Sequence, residues 1–249
     1  MRSFLRRLRR AWHAFRQEPS PRITRGNFRA PTGFAPLDPA QQAVVDDFHR
    51  LYYEQRGEGR KTVILSWFGW RMLKCPMDLW TYQEIIAETR PQLIIESGTR
   101  WGGGALFLAS MLDLQGHGRL LSIDIDTEPN RPQHPRIQYL AGSSIDPAIV
   151  ETVRRAAAGK RTLVILDSDH HAAHVAKELA IYPEFVSPGG YLIVDDTNIG
   201  GNPVWQDEDA GPMAAVKEFL ASTDAFVADR DRERFMMTMN PLGFLRRVG

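Results

Sequence analysis

The chain has 249 residues, 43% of them hydrophobic and 24% charged, with a formal net charge of +1. At roughly 100–200 residues per domain, this allows one large domain or two small ones and excludes wholesale disorder or a collagen-like fibre. No apolar run approaches the ~20 residues that span a bilayer, and Cys75 is the only cysteine, so no internal disulfide or cysteine-based zinc site can form.

The charge is unevenly spread. Residues 1–30 hold nine arginines and one acid, Glu18, a net +8, which leaves −7 for the rest. Phe4, Leu5, Leu8, Trp12 and Phe15 recur at helical spacing among those arginines. Residues 1–16 therefore read as an amphipathic helix that lies on an anionic membrane surface or packs on the body or a second subunit. No apolar stretch of about 7–15 residues follows, so it is not a secretory signal. Prolines and glycines mark 17–37 as a linker, and 38–249 as one domain. The acidic body carries no nucleic-acid reader motif, so no nucleic acid is expected as a partner. A cytoplasmic location is expected, at most peripheral to the inner face of the membrane.

Asp38-Pro39 predicts a helix start, with the acid as N-cap and proline in the first turn, running to about residue 53. Residues 62–68 read as a short strand or loop, and 78–89 as a helix stopped before Pro91. A regular rhythm follows. Strands are predicted at 92–97, 119–124, 136–140, 162–167 and 190–195. Helices are predicted at 103–114, 146–158, 170–186 and 211–222. A closing hairpin is predicted from 234–239 and 243–247, around Asn240-Pro241-Leu242-Gly243. Apolar strands alternating with helices predict an α/β fold, a doubly wound, mostly parallel sheet covered on both faces.

Ligands of such sheets bind beyond the carboxyl ends of the strands. There the sequence places Glu96, Asp124, Asp167, Asp195 and Asp196. Residues 96–104 read Glu-Ser-Gly-Thr-Arg-Trp-Gly-Gly-Gly, where Gly98 and Gly102 permit a tight turn close to a ligand. The spacing is neither the dinucleotide fingerprint nor a phosphate-binding P-loop. An acid ending the next strand, Asp124, suits ribose hydroxyls, and Ser143-Ser144 could edge an adenine. Together these fit S-adenosylmethionine better than a dinucleotide. Asp167, Asp195 and Asp196 offer hard oxygen ligands suited to Mg²⁺, and Asp167 is counted in the cofactor set as well. Asp169 reads equally as a helix N-cap. His170 is the candidate general base, and it is expected to share a helix face with His174. His171 is expected to face solvent. Trp80, Tyr82 and Gln83 could gate the site, and Trp101, Trp205 and the 199–212 loop could cover a substrate. Core packing is the competing reading for these aromatics.

With these residues in place, the chain resembles the cephalosporin hydroxylase-like/rhamnosyl O-methyltransferase family. The resemblance rests on DLWTYQEII (78–86), IIESGTRWGGGALFLASMLD (94–113), LLSIDID (120–126), VILDSDHHAAHVAKEL (164–179), GGYLIVDDTNIGGNPV (189–204) and FMMTMNPLGFLRR (235–247), and covers roughly residues 70–249. It implies a class I methyltransferase sheet with a final antiparallel strand. It puts Glu96, Gly98 and Gly102 at the methionine end of the cofactor, Asp124 on the ribose and Ser143-Ser144 near the adenine. It matches Asp167, Asp195 and Asp196 to the Mg²⁺ ligands and His170 to the base. The implied reaction is Mg²⁺-dependent methyl transfer to a sugar hydroxyl of a glycoside or glycolipid acceptor, and the resemblance together with the arm points to a homo-oligomer. The chain departs from the pattern in its second histidine, His171, and in the acidic loop 201–212, which leaves the acceptor open. The alternatives are a metal-dependent hydrolase built on the Asp/His cluster and a non-catalytic partner protein that retains the fold.

Overall fold

The computed structural model describes residues 26, 31–53, 64–206 and 209–249. The basic arm expected at 1–16 lies outside these residues. Helix α1 (Pro39–Tyr53) opens as the sequence requires: the Gln41 amide donates to Asp38 Oδ1 at 2.9 Å and the Asp38 amide to Gln41 Oε1 at 3.1 Å, a reciprocal cap. Just before it, residues 33–34 are tied down, because the Gly33 and Phe34 amides both donate to Asp231.

The remaining elements are β1 (Ile64–Trp67), β2 (Trp70–Leu73), α2 (Pro76–Thr89), β3 (Leu93–Ser97), α3 (Gly103–Gln115), β4 (Arg119–Asp124), β5 (Ile137–Ala141), α4 (Pro147–Ala157), β6 (Thr162–Leu166), α5 (Ala172–Ile181), β7 (Tyr191–Val194), α6 (Gly211–Ser222), β8 (Phe226–Ala228) and β9 (Phe244–Arg247). Seven strands form one sheet in the order β5-β4-β3-β6-β7-β9-β8. β3 to β7 run parallel, whereas β9 is antiparallel to both β7 and β8. β1 and β2 form a separate antiparallel hairpin.

Both faces of the sheet are covered, which explains the unbroken apolar strands. In β6, Val164 and Leu166 join the core against α4, α5 and α6, while Leu163 and Ile165 join the core against α2 and α3. β7 divides the same way, with Leu192 and Val194 on one side and Tyr191 and Ile193 on the other. Successive side chains point to opposite faces, so a strand buried on both must be apolar at every position. Each such fully buried Leu or Ile contributes roughly 1.5–3 kcal/mol.

Three expectations need correction. Within the expected 62–68 segment, of which 62 and 63 lie outside the described residues, Ile64–Trp67 is the first strand of a hairpin whose second strand, β2, was not anticipated. The helix expected at 170–186 begins at Ala172 and ends at Ile181, continuing only as a 3₁₀ turn over Tyr182–Phe185. Pro183, which lacks an N–H, prevents a regular helix there. His170 therefore lies in the loop before α5 and shares no helix face with His174.

The closing hairpin is formed by β8 and β9, not by 234–239 and 243–247. Within 235–242, Met237, Thr238, Met239 and Asn240 are all buried in succession, without the alternation of a strand on one sheet face. They do not pair with β9, whose two edges are already taken by β7 and β8. Their polar groups turn to side chains of α2 instead: the Met239 amide donates to Asp78 Oδ2 at 2.9 Å and the Thr238 hydroxyl to Asp78 Oδ1.

Burial raises the Asp78 carboxyl to about 7, against the lowering effect of its bonds to Thr238 and Met239. A folded pKa above the unfolded value of ~3.9 means that the native state holds this proton longer, so stability contributed here falls as pH rises from about 4 to 7. Asp78→Asn is expected to flatten that fall, as measured by urea unfolding across the same pH window. An unchanged slope would contradict the assignment.

Candidate active site

The chain order reverses direction between β3 and β6: β3 leads outward to β4 and β5, and β6 leads the other way to β7. Crevices at such switch points are where open α/β sheets bind ligands. A cavity of about 540 Å³ opens there, large enough for a cofactor-sized molecule. Glu96, Gly98, Asp124, Ser143, Ser144, Asp167, His170 and Asp196 all line it. Gly102 and Asp195 are the predicted site residues that do not.

The glycine-rich turn is shaped by backbone demands. Gly98 has φ of +79°, and a Cβ there would lie 1.9 Å from the Asp167 carbonyl oxygen. Gly102 has φ of +80°, and its Cβ would meet the Pro132 ring at 2.7 Å. Gly98→Ala is expected to destabilise the fold by roughly 2–4 kcal/mol, through the clash and the left-handed backbone together. Thermal or urea unfolding checks this, and a loss below about 0.5 kcal/mol would contradict the packing described.

Asp124 organises the same turn. Its Oδ2 accepts from the Thr99 amide at 2.9 Å and the Arg100 amide at 2.6 Å, and its Oδ1 from the Asp126 amide at 2.9 Å. Arg131 approaches the carboxylate at 3.4 Å and donates to the Arg100 carbonyl at 2.7 Å. Glu96 lies inside β3, buried, and accepts from the Ser122 hydroxyl at 2.6 Å. Burial raises its pKa, offset in part by Ser122 and by the Lys74 ammonium.

At the cavity edge near β5, the Ser144 hydroxyl and His174 Nε2 are 3.2 Å apart, and Ser168 Oγ lies 3.3 Å from the same nitrogen. Buried Glu178 accepts from Ser168 at 2.8 Å and raises the pKa of His174. Ser143 Oγ contacts the Ile145 amide at 3.4 Å.

The acidic half is assembled from β6, β7 and the loop before α5. Asp167, His170 and Asp196 each bring one ligand atom to within 4.8 Å of the others. His170 Nε2 lies 3.4 Å from Asp196 Oδ2. Asp196 has φ of +53°, a left-handed turn that aspartate tolerates better than most residues. Asp169 caps the loop, accepting from the His171 amide at 2.9 Å and lying 2.5 Å from His171 Nδ1. His171 is exposed, as expected.

Asp195, expected among the metal ligands, does not line the cavity but shares the Lys74 ammonium with Asp167. It is buried, its Oδ2 accepts from Lys74, and its Oδ1 accepts from the Tyr82 hydroxyl and, at 2.9 Å, from the Asn240 amide nitrogen. Lys74 also reaches Asp167 Oδ2 at 2.7 Å. Burial alone would lower the Lys74 pKa, but the two carboxylates carry it well above the usual lysine value. Burial, with Asp195 and Asp78 nearby, raises the Tyr82 hydroxyl well above its usual range. Tyr82 is therefore a fixed support and not a gate. Trp80 is exposed and donates to Glu84, and Trp205 packs edge-on against Tyr53 at 5.2 Å. Trp101 does line the cavity, with the Arg71 and Arg100 guanidiniums 4.1 and 4.3 Å from its ring centre.

Lys74, Asn240 and Arg131 were missed by the sequence reading. A lysine amid Met72-Leu73-Lys74-Cys75 was a signal for the first, since a charge in an apolar run before a helix needs a buried partner. Nothing local marked the other two.

Residues 61–248 match the family model described as Rhamnosyl O-methyltransferase/CmcI. A rhamnosyl O-methyltransferase of Mycobacterium tuberculosis is 34% identical over 230 residues, 89% of this chain and 90% of that protein. One from Mycobacterium leprae is 36% identical over 216 residues, 82% of this chain and 91% of the relative. Among solved structures, the one titled cmcI-D160 Mg-SAM shares the fold at a TM-score of 0.60 and 21% identity, over 92% of this chain and 91% of its own. The methyltransferase TomG from Streptomyces achromogenes does so at 0.51 and 17%, over 86% and 92%. A match across three quarters of the chain, joined by a third of identical positions in full-length relatives, places this protein in the rhamnosyl O-methyltransferase/CmcI family.

Proposed function

We propose that this protein transfers a methyl group from S-adenosylmethionine to a hydroxyl of rhamnose or a similar sugar, giving a methyl ether, with Mg²⁺ at the acidic cluster. The observation that carries the reading is the convergence of two half-sites in one cavity of a chain that is 34% identical to rhamnosyl O-methyltransferases over most of its length. The Gly98 turn leaves a cradle where a side chain would collide, and Asp124 stands at the end of β4 where ribose hydroxyls are met. Asp167 and Asp196 form a hard donor set beside His170, which fits Mg²⁺.

When bound, S-adenosylmethionine supplies an activated methyl group and the cation supplies positive charge near the acceptor oxygen. The chain does the rest. The glycine-rich turn and Asp124 orient the cofactor and contribute proximity. His170, whose Nε2 lies 3.4 Å from Asp196 Oδ2, takes the proton of the sugar hydroxyl as the new bond forms.

Calorimetric titration of S-adenosylhomocysteine into the protein, with and without Mg²⁺, tests the cofactor half. Saturable one-to-one binding is expected. Its absence in both conditions would overturn the proposal.

A further inference from the structure

The β1–β2 hairpin closes with Trp67 paired to Trp70, which leaves Phe68 and Gly69 as a two-residue loop. Both have positive φ, +49° and +83°, the pattern of a type I′ turn. Asparagine is favoured at the first of these positions, and a bulky side chain there is strained. Phe68 is nevertheless 85% exposed, so its ring brings the fold little burial in return. Trp70 beside it is 37% exposed. A large apolar side chain in a strained, exposed turn answers to a contact outside the chain.

The tip is held in a fixed relation to the cavity. Trp67 Nε1 donates to Ser110 Oγ of α3 at 3.0 Å, and its ring meets Phe107 edge-on at 5.0 Å. β2 lies so close to the start of α3 that a Cβ on Gly103 would be 2.3 Å from the Arg71 carbonyl oxygen. From there β2 runs directly into the cavity wall, to which it contributes Met72 and Leu73. Arg71 and Arg100 are exposed, and both stack on Trp101 of that wall. Among the described residues neither guanidinium pairs with a carboxylate. Exposed Phe and Trp with free arginines beside them suit the boundary between water and an anionic lipid layer.

We propose that the hairpin tip docks on an anionic lipid surface, with Phe68 and Trp70 at the headgroup boundary and Arg71 and Arg100 against lipid phosphates, which brings the cavity to a sugar carried by a lipid. The lipid-borne acceptor rests on the methyltransferase reading, whereas the docking does not. A second copy of the chain is the competing occupant. The arginines favour the lipid, since a two-fold contact through the tip would set their charges against those of the other copy.

The test is cosedimentation of the full-length protein with vesicles of phosphatidylcholine and phosphatidylglycerol. Phe68→Asn suits the turn, so it is expected to melt no lower than wild type while binding the vesicles about tenfold more weakly. Arg71→Gln is expected to weaken binding by about fivefold. Undiminished binding by either variant, or none by the wild type, would overturn the proposal. So would a smaller oligomer for Phe68→Asn in sedimentation velocity with vesicle binding unchanged, which would make the tip a contact between copies.

Methyl transfer to a water-soluble rhamnoside keeps the two claims apart. Phe68→Asn is expected to match wild type in that assay. Protein that binds vesicles through the tip yet transfers no methyl group would sink the proposed function and leave the docking standing.

Discussion

Asp167→Asn is expected to lower kcat by about a thousandfold or more while leaving S-adenosylhomocysteine affinity within about threefold. The size follows from the several kcal/mol of charge stabilisation that a metal supplies to a developing alkoxide. The selectivity follows from geometry. The Asp167 backbone supports the turn at Gly98, its amide donating to the Ser97 carbonyl at 2.9 Å, and asparagine keeps that backbone. What it loses is the charge facing His170 and Asp196. Steady-state rates with a rhamnoside acceptor, set beside calorimetric affinities, separate the two effects. Turnover by Asp167→Asn equal to wild type would remove the metal from the mechanism.

Asp124→Ala should fail in the opposite way, through the cofactor. Its carboxylate collects the amides of Thr99, Arg100 and Asp126 and the approach of Arg131. Removing it orphans amides that hold the glycine-rich turn in place, at a cost of roughly 2–4 kcal/mol in stability. Affinity for S-adenosylhomocysteine is expected to fall by about a hundredfold or more, since both the ribose partner and the shape of the turn are lost. Asp124→Asn, which keeps acceptor oxygen on one side only, should fall between. A variant that unfolds earlier yet binds the cofactor as tightly as wild type would show that Asp124 serves the fold alone.

The sheet and the position of the site were legible in the sequence because both rest on strong local signals. β3, β4, β6 and β7 are short apolar runs, and the acids at or just beyond their ends break that pattern where the chain leaves the core. Asp38, before a proline, marked a helix start that the structure caps as expected, and Asp146 caps α4 in the same manner, accepting from the Ala148 amide at 2.7 Å.

What escaped was decided by distant partners. Whether Asp195 faces the cavity or α2 depends on Lys74, Tyr82 and Asn240, which lie between 45 and 121 residues away along the chain. The apolar run Phe235-Met236-Met237-Thr238-Met239 looks like a strand beside β9, but β8 pairs with β9 on that edge instead. His170 was placed on a helix because the residues around it favour one. Asp169 instead holds the loop open until Ala172. Among the described residues no helix is long and apolar enough to cross a membrane.

The most direct test of the central claim is methyl transfer itself. Purified protein, isotopically labelled S-adenosylmethionine, Mg²⁺ and a simple rhamnoside would be incubated and the products resolved by mass spectrometry and NMR. The account predicts a labelled methyl ether on one ring hydroxyl, formed in step with S-adenosylhomocysteine and suppressed by chelator. Cofactor that binds but never yields a labelled sugar across a panel of rhamnosides and other deoxysugar glycosides would contradict it.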